Sequence, residues 1–100
     1  MDTNTGTDGM PFRMFLAAGN GDAHALIAWL DEGGGVNADC AELRGGTLLM
    51  AATSGGQEAI VRMLLRRGAS VNRQSSLGFT ALMAAADLGD VTIVQALLDA

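Results

Sequence analysis

The side chains here that could do chemistry are few: His24, Cys40, scattered carboxylates and a handful of serines. Nucleophilic catalysis of the thiol kind needs an imidazole beside the sulfur, and nothing in the spacing of Cys40 and His24 brings them together. Histidine-clustered metal sites need more than one histidine, and a zinc set needs more thiols than Cys40 supplies. Ser54, Ser70, Ser75 and Ser76 carry no Gly-x-Ser-x-Gly elbow. The stretches Gly33-Gly34-Gly35 and Gly45-Gly46-Thr47 lack the Gly-Lys-Ser/Thr ending of a phosphate loop, and neither joins a strand to a helix as a dinucleotide fingerprint does. Carboxylate pairs for acid–base work stay open on sequence alone. The residues therefore predict a chain that is not an enzyme and has no catalytic residues, no metal and no cofactor.

The elements around these residues must be built economically. With 100 residues, 49% of them hydrophobic and 4% aromatic, the chain fits one domain whose packing rests on Leu, Ile, Val, Met and Ala. The formal net charge of -5 and pI near 4.4 work against a phosphate backbone or an anionic membrane as partner. No nucleic acid and no membrane are expected, and a basic or neutral protein fits better. The lone Cys40 allows no internal disulfide, which suits a reducing compartment. Residues 1–9 lack the charged start and apolar run of a secretory signal and are expected to form a flexible leader. The expected location is cytoplasmic, with a nuclear one left open.

Two passages recur in step. Gly46-Thr47-Leu48-Leu49-Met50-Ala51-Ala52 returns as Phe79-Thr80-Ala81-Leu82-Met83-Ala84-Ala85, a displacement of 33 positions. Gly56-Gln57-Glu58-Ala59-Ile60-Val61-Arg62-Met63-Leu64-Leu65 is echoed at the same displacement by Gly89-Asp90-Val91-Thr92-Ile93-Val94-Gln95-Ala96-Leu97-Leu98. A fainter first copy, Gly21 to Leu30, lies 35 positions before the second, and the two extra residues fall within Ala38 to Gly46. A fixed period of this size marks a repeat architecture. Each unit reads as two short helices. In the middle unit Leu49, Ala52 and Thr53 share one face of the first helix, Gly55-Gly56 turns the chain, and Ile60, Val61, Leu64 and Leu65 form the stripe of the second, with Glu58, Arg62 and Arg66 facing water. Gly68 closes that helix. Helices this short are marginal alone, so isolated units are not expected to fold, and Leu64→Ala or Leu97→Ala should cost ~2–5 kcal/mol.

In these residues the chain resembles an ankyrin repeat array. Thr47-Leu48-Leu49-Met50 and Thr80-Ala81-Leu82-Met83 fill the family's Thr-Pro-Leu-His opening, and Gly33-Gly34-Gly35-Val36-Asn37 and Gly68-Ala69-Ser70-Val71-Asn72 resemble its Gly-Ala-Asp-Val-Asn closing. The resemblance covers about 90 residues from Pro11 onward. It implies an all-α ankyrin repeat solenoid of about three helix-turn-helix repeats with short β-turn tips. One domain over residues 10–100 is expected, with units near 10–41, 42–74 and 75–100, the last incomplete. There are departures. Pro is missing at Leu48 and Ala81, and Met50 and Met83 replace the His whose side chain bonds the turn, so softer turns are expected. Phe12 replaces the opening Thr of the first unit. Trp29 takes a buried Leu slot and is expected in the core. In the last unit Ile93, Val94, Leu97 and Leu98 are expected to face inward, and its uncovered outer side favours a piece of a longer array.

Family members hold partners with their loop tips and the inner surface of their first helices, so the resemblance implies a monomeric module that binds another protein or peptide. Carried over by position, the surface comprises Leu43, Arg44, Gly46 and Ser54 in the second unit. In the third it comprises Ser76, Leu77, Phe79, Asp87 and Leu88, and the first offers Gly19 and Asn20. Leu43, Arg44, Leu77, Phe79, Asp87 and Leu88 are the candidate binding residues. Leu77, Phe79 and Leu88 are apolar yet point away from the stack, as an interaction patch would. Phe79 could equally fold over Gly78 and a neighbouring tip, and Leu88 could pack partly. The inserted Asp39 to Arg44 reads either as a finger toward a ligand or as a neutral addition. Asp87 and Glu42 are the charges placed to meet a basic peptide. Arg62, Arg66 and Arg67 suit the negative end of their helix and form no aromatic-basic track. A structural spacer or assembly segment of a longer array is the alternative function.

Overall fold

The computed structural model describes residues 9–100. Along them run α1 (Phe12–Asn20), α2 (Ala23–Asp31), α3 (Leu48–Ser54), α4 (Glu58–Arg66), α5 (Ala81–Leu88) and α6 (Val91–Asp99). Between α2 and α3 lie β1 (Asp39–Cys40) and β2 (Gly46–Thr47), an antiparallel pair joined through a 3-10 turn at Ala41–Leu43, with Asp39 opposite Thr47 and Cys40 opposite Gly46. The helices pair as three hairpins. In one row α1 packs on α3 and α3 on α5; in a second row α4 packs on α6. The stack extends 42 × 28 × 21 Å.

Short polar side chains start most of these helices by accepting a backbone N–H that the helix leaves unpaired. Thr47 Oγ1 accepts from Met50 N at 3.3 Å and Thr80 Oγ1 from Met83 N at 3.2 Å. Asp22 and Asp90 do the same for Ala25 N at 3.2 Å and Ile93 N at 3.1 Å. The core is aliphatic, with Leu26, Leu48, Leu49, Val61, Leu64 and Ile93 fully buried. Leu48 to Thr53 of α3 are buried on every side, because α3 lies between α1 and α5 and is backed by α4. The stripe of α4 buries Ile60, Val61 and Leu64, leaves Leu65 half-buried and exposes Glu58, Arg62 and Arg66, as the period requires.

Neighbouring units meet backbone to backbone. A methyl built on Gly55 would stand 2.2 Å from the Gly19 carbonyl oxygen, so no side chain fits where α3 ends against α1. Gln57 Nε2 donates to that same carbonyl at 3.1 Å. Farther out, Asn37 Oδ1 accepts from Ser70 N at 2.7 Å, and Arg67 pairs with Asp31 at 3.0 Å across the units, an exposed ion pair of small energetic weight.

Several sequence expectations change in detail. Met50 does more than displace a histidine: its Sδ accepts from Thr47 N at 3.4 Å, so the opening of α3 keeps a reciprocal cap through a weak sulfur acceptor. Met83 makes no matching bond and is half exposed. Trp29 is half-buried, its ring lying over Gly34, where a methyl would come within 2.3 Å of the indole. Leu98 points outward at 61% exposure while Ile93 and Leu97 are buried, because the helical period allows only one face of α6 to reach α4 and α5. The insertion is a small β-hairpin closed by a 3-10 turn. Residues 1–8 of the expected leader lie outside the described residues, and Met10 N donates to Asp39 O at 3.0 Å.

Candidate functional site

One position of the repeat builds the floor of a groove. Phe15, Met50 and Met83 stand at equivalent places in the three units, each following Phe12, Thr47 or Thr80 by one helical turn. The hairpin tip adds Leu43 and Arg44, and the tip of the third unit adds Leu77, Gly78 and Phe79. Together with Glu42, Gly46, Ser54 and Ser75 they enclose about 520 Å³. Met50 forms the base at 3% exposure, while Leu77 at 74% and Met83 at 52% are open to solvent.

Local hydrogen bonds hold the two tips in place. Ser75 N donates to Phe79 O at 2.9 Å, and Ser75 Oγ accepts from Leu77 N at 3.3 Å and Phe79 N at 3.2 Å. Ser76 N reaches the other tip, donating to Arg44 O at 2.8 Å. Because these bonds are satisfied within the protein, the backbone of both tips is set without a ligand, and an occupant need not order it. Arg44 has φ 56 and ψ 38, a left-handed conformation that is uncommon for a residue with a side chain. Its guanidinium forms no ion pair among the described residues.

Of the six residues expected from sequence, the structure brings Leu43, Arg44, Leu77 and Phe79 to this groove. Asp87 and Leu88 lie elsewhere: Phe79 precedes α5 and Leu88 ends it, so Leu88 sits at the far end of that helix, 51% exposed, with Cδ2 3.7 Å from where a methyl on Gly56 would be. The apolar surface expected as one cluster is thus divided. Phe79 remains 38% exposed at the groove. Sequence reasoning missed Phe15, Met50 and Met83 as groove residues. The signal was available, since all three are large and apolar at one repeat position.

The potentially reactive groups stand apart from one another. Cys40 is fully buried, and its thiol donates to Glu42 Oε1 at 3.5 Å. Burial pushes the thiol pKa above its ordinary value, opposed by a backbone hydrogen bond at Leu43 and reinforced by Glu42. The thiol is therefore held protonated at neutral pH, the unreactive form. His24 lies on the exposed side of α2. Among the described residues no group of three or more His, Cys, Asp or Glu could hold a metal, and no helix is long and apolar enough to cross a membrane. Further clefts lie among the described residues. One, between α4 and α6, is lined by Arg62, Leu65, Arg66, Ala96, Asp99 and Ala100; another, on the outer side of the third unit, includes Val71, Leu82, Leu97 and Leu98.

A family model described as ankyrin repeats, in three copies, matches residues 14–100. The chain is similar to M-phase phosphoprotein 8 of Homo sapiens, 37% identical over 89 residues that make up 88% of this chain and 10% of that protein. Ankyrin repeat and SAM domain-containing protein 6 of Mus musculus is 46% identical over 48 residues, 48% of this chain and 5% of its own. Protein fem-1 homolog A-like of Mus musculus is 45% identical over 60 residues, 60% of this chain and 9% of its own. The chain spans about a tenth or less of the length of these relatives.

Proposed function

Because the chain belongs to the ankyrin repeat family, whose members generally serve as protein-interaction modules, we propose that it binds an extended peptide segment of a partner protein in the groove between its second and third tips. The carrying observation is the meeting of Phe15, Leu43, Met50, Leu77, Phe79 and Met83 around one pre-shaped apolar hollow. Aliphatic or aromatic side chains of the partner fill it, and burying them supplies the affinity at roughly 25 cal/mol per Å² before the costs of association. The net charge of -5 favours a segment that is neutral or basic overall. The module works as a monomer without cofactor, in the cytoplasm, where a reduced, buried Cys40 is at home.

The test selects peptides on the wild-type chain from a phage-displayed library and measures their affinity for a Leu77→Ser/Phe79→Ser double variant. Both residues are exposed, so circular dichroism should be unchanged, while affinity should fall at least about tenfold, the loss expected for hot-spot truncation. Unchanged affinity rejects the groove as the site. A second reading, an assembly segment within a longer array, draws on Leu82 and Leu98, exposed at 38% and 61% on the outer side of the third unit. That surface would then stack another repeat and leave the groove idle.

A further inference from the structure

Among the described residues Arg44 is the one non-glycine with a positive φ. Its neighbour Gly45 shares the left-handed region, as a tight turn prefers. A glycine at 44 would adopt the same turn freely, so the strain there comes from carrying a side chain at all. Strain of this kind gathers at sites of function. What the side chain contributes is a guanidinium on the edge of an apolar hollow, without an ion pair among the described residues.

The other charge on the rim is Glu42, which accepts from the Cys40 thiol at 3.5 Å within its own hairpin and forms no ion pair with Arg44. The Arg44 backbone is fixed across the groove by Ser76 N at 2.8 Å, so its position relative to Leu77 and Phe79 is set before anything binds. A guanidinium with no ion pair, carried on a fixed backbone beside an apolar pocket, is complementary to a carboxylate adjoining an apolar side chain, and the low polarity of the lining strengthens such a bond.

Resting on the reading of the groove as the binding site, we propose that Arg44 selects the occupant: a peptide segment in which an aliphatic side chain adjoins an aspartate or glutamate. The rest of that segment is neutral or basic, because the chain's own net charge of -5 repels a strongly acidic partner.

The probes are three fluorescein-labelled octapeptides, Ser-Gly-Lys-Leu-Leu-Asp-Gly-Ser and its counterparts with Asn or Lys in place of Asp. They are titrated by fluorescence polarisation against the whole chain and its Arg44→Gly, Arg44→Glu and Phe79→Ser variants. The wild type should prefer Asp over Asn by on the order of tenfold, the worth of one charge-assisted hydrogen bond. Arg44→Gly, which relaxes the turn, should fold and bind Asp and Asn peptides alike, and Arg44→Glu should turn the preference to Lys. Equal binding of Asp and Asn by the wild type, or a preference that survives Arg44→Gly, overturns the proposal while leaving Phe79-dependent binding intact. Binding indifferent to Phe79→Ser, or no binding of any probe, overturns the groove reading and this one with it.

Discussion

Thr53 carries a hydroxyl into the core, and its Oγ1 has no hydrogen-bond partner among the described residues. A buried polar atom left unpaired gives up its water for nothing, at about 1–3 kcal/mol. Thr53→Val keeps the branched shape and removes the hydroxyl, so it should raise unfolding stability by about 1 kcal/mol in a urea titration; a loss of that size would mean the hydroxyl is satisfied after all. Single residues were read unevenly from sequence. Thr53 and Leu49 were legible as core because periodicity alone puts them on the inner face. Cys40 was not. It lies in an insertion with no counterpart in the other units, and its burial follows from β1 pairing with β2, which the repeat register does not describe. Trp29 is expected in the core, yet it is half-buried, because a ring that large is shared between the core and the surface over Gly34.

The helices follow from the sequence because two kinds of signal agree: apolar residues at helical spacing, and a Thr or Asp at the start of α2, α3, α5 and α6 whose oxygen accepts an N–H there. How closely the helices approach one another is set by absences of side chain. Gly55 ends α3 where a methyl would collide with the Gly19 carbonyl, and that carbonyl also holds Gln57. Gly55→Ala should therefore push α1 from α3, costing roughly 1–3 kcal/mol in thermal or urea unfolding, as overpacking does. A variant as stable as the wild type would show that the two units can separate without loss. The sequence marked Gly55-Gly56 as a turn but could not show which glycine serves the turn and which the contact. The hairpin of β1 and β2 was legible only as added length, since two-residue strands leave no alternation to detect.

At the scale of the whole molecule, the recurrence at 33 positions carries the architecture, and stacking follows because no unit can bury its own apolar face. The groove was half legible. Its tips, Leu43, Arg44, Leu77 and Phe79, came from position within the repeat. Its floor, Phe15, Met50 and Met83, went unseen because each residue was read within its own helix, and a continuous surface appears only once the three helices lie side by side. Asp87 and Leu88 were grouped with the tips by carrying over repeat positions, which does not register that a helix of eight residues separates its two ends. We propose that this groove, and not the outer row of helices, receives the partner. Backbone and methyl chemical-shift mapping of the labelled chain with a selected peptide tests it most directly. The largest shifts are expected at Leu43, Arg44, Met50, Leu77, Phe79 and Met83; shifts concentrated on α2, α4 and α6, with those residues unmoved, would place the partner on the outer row instead.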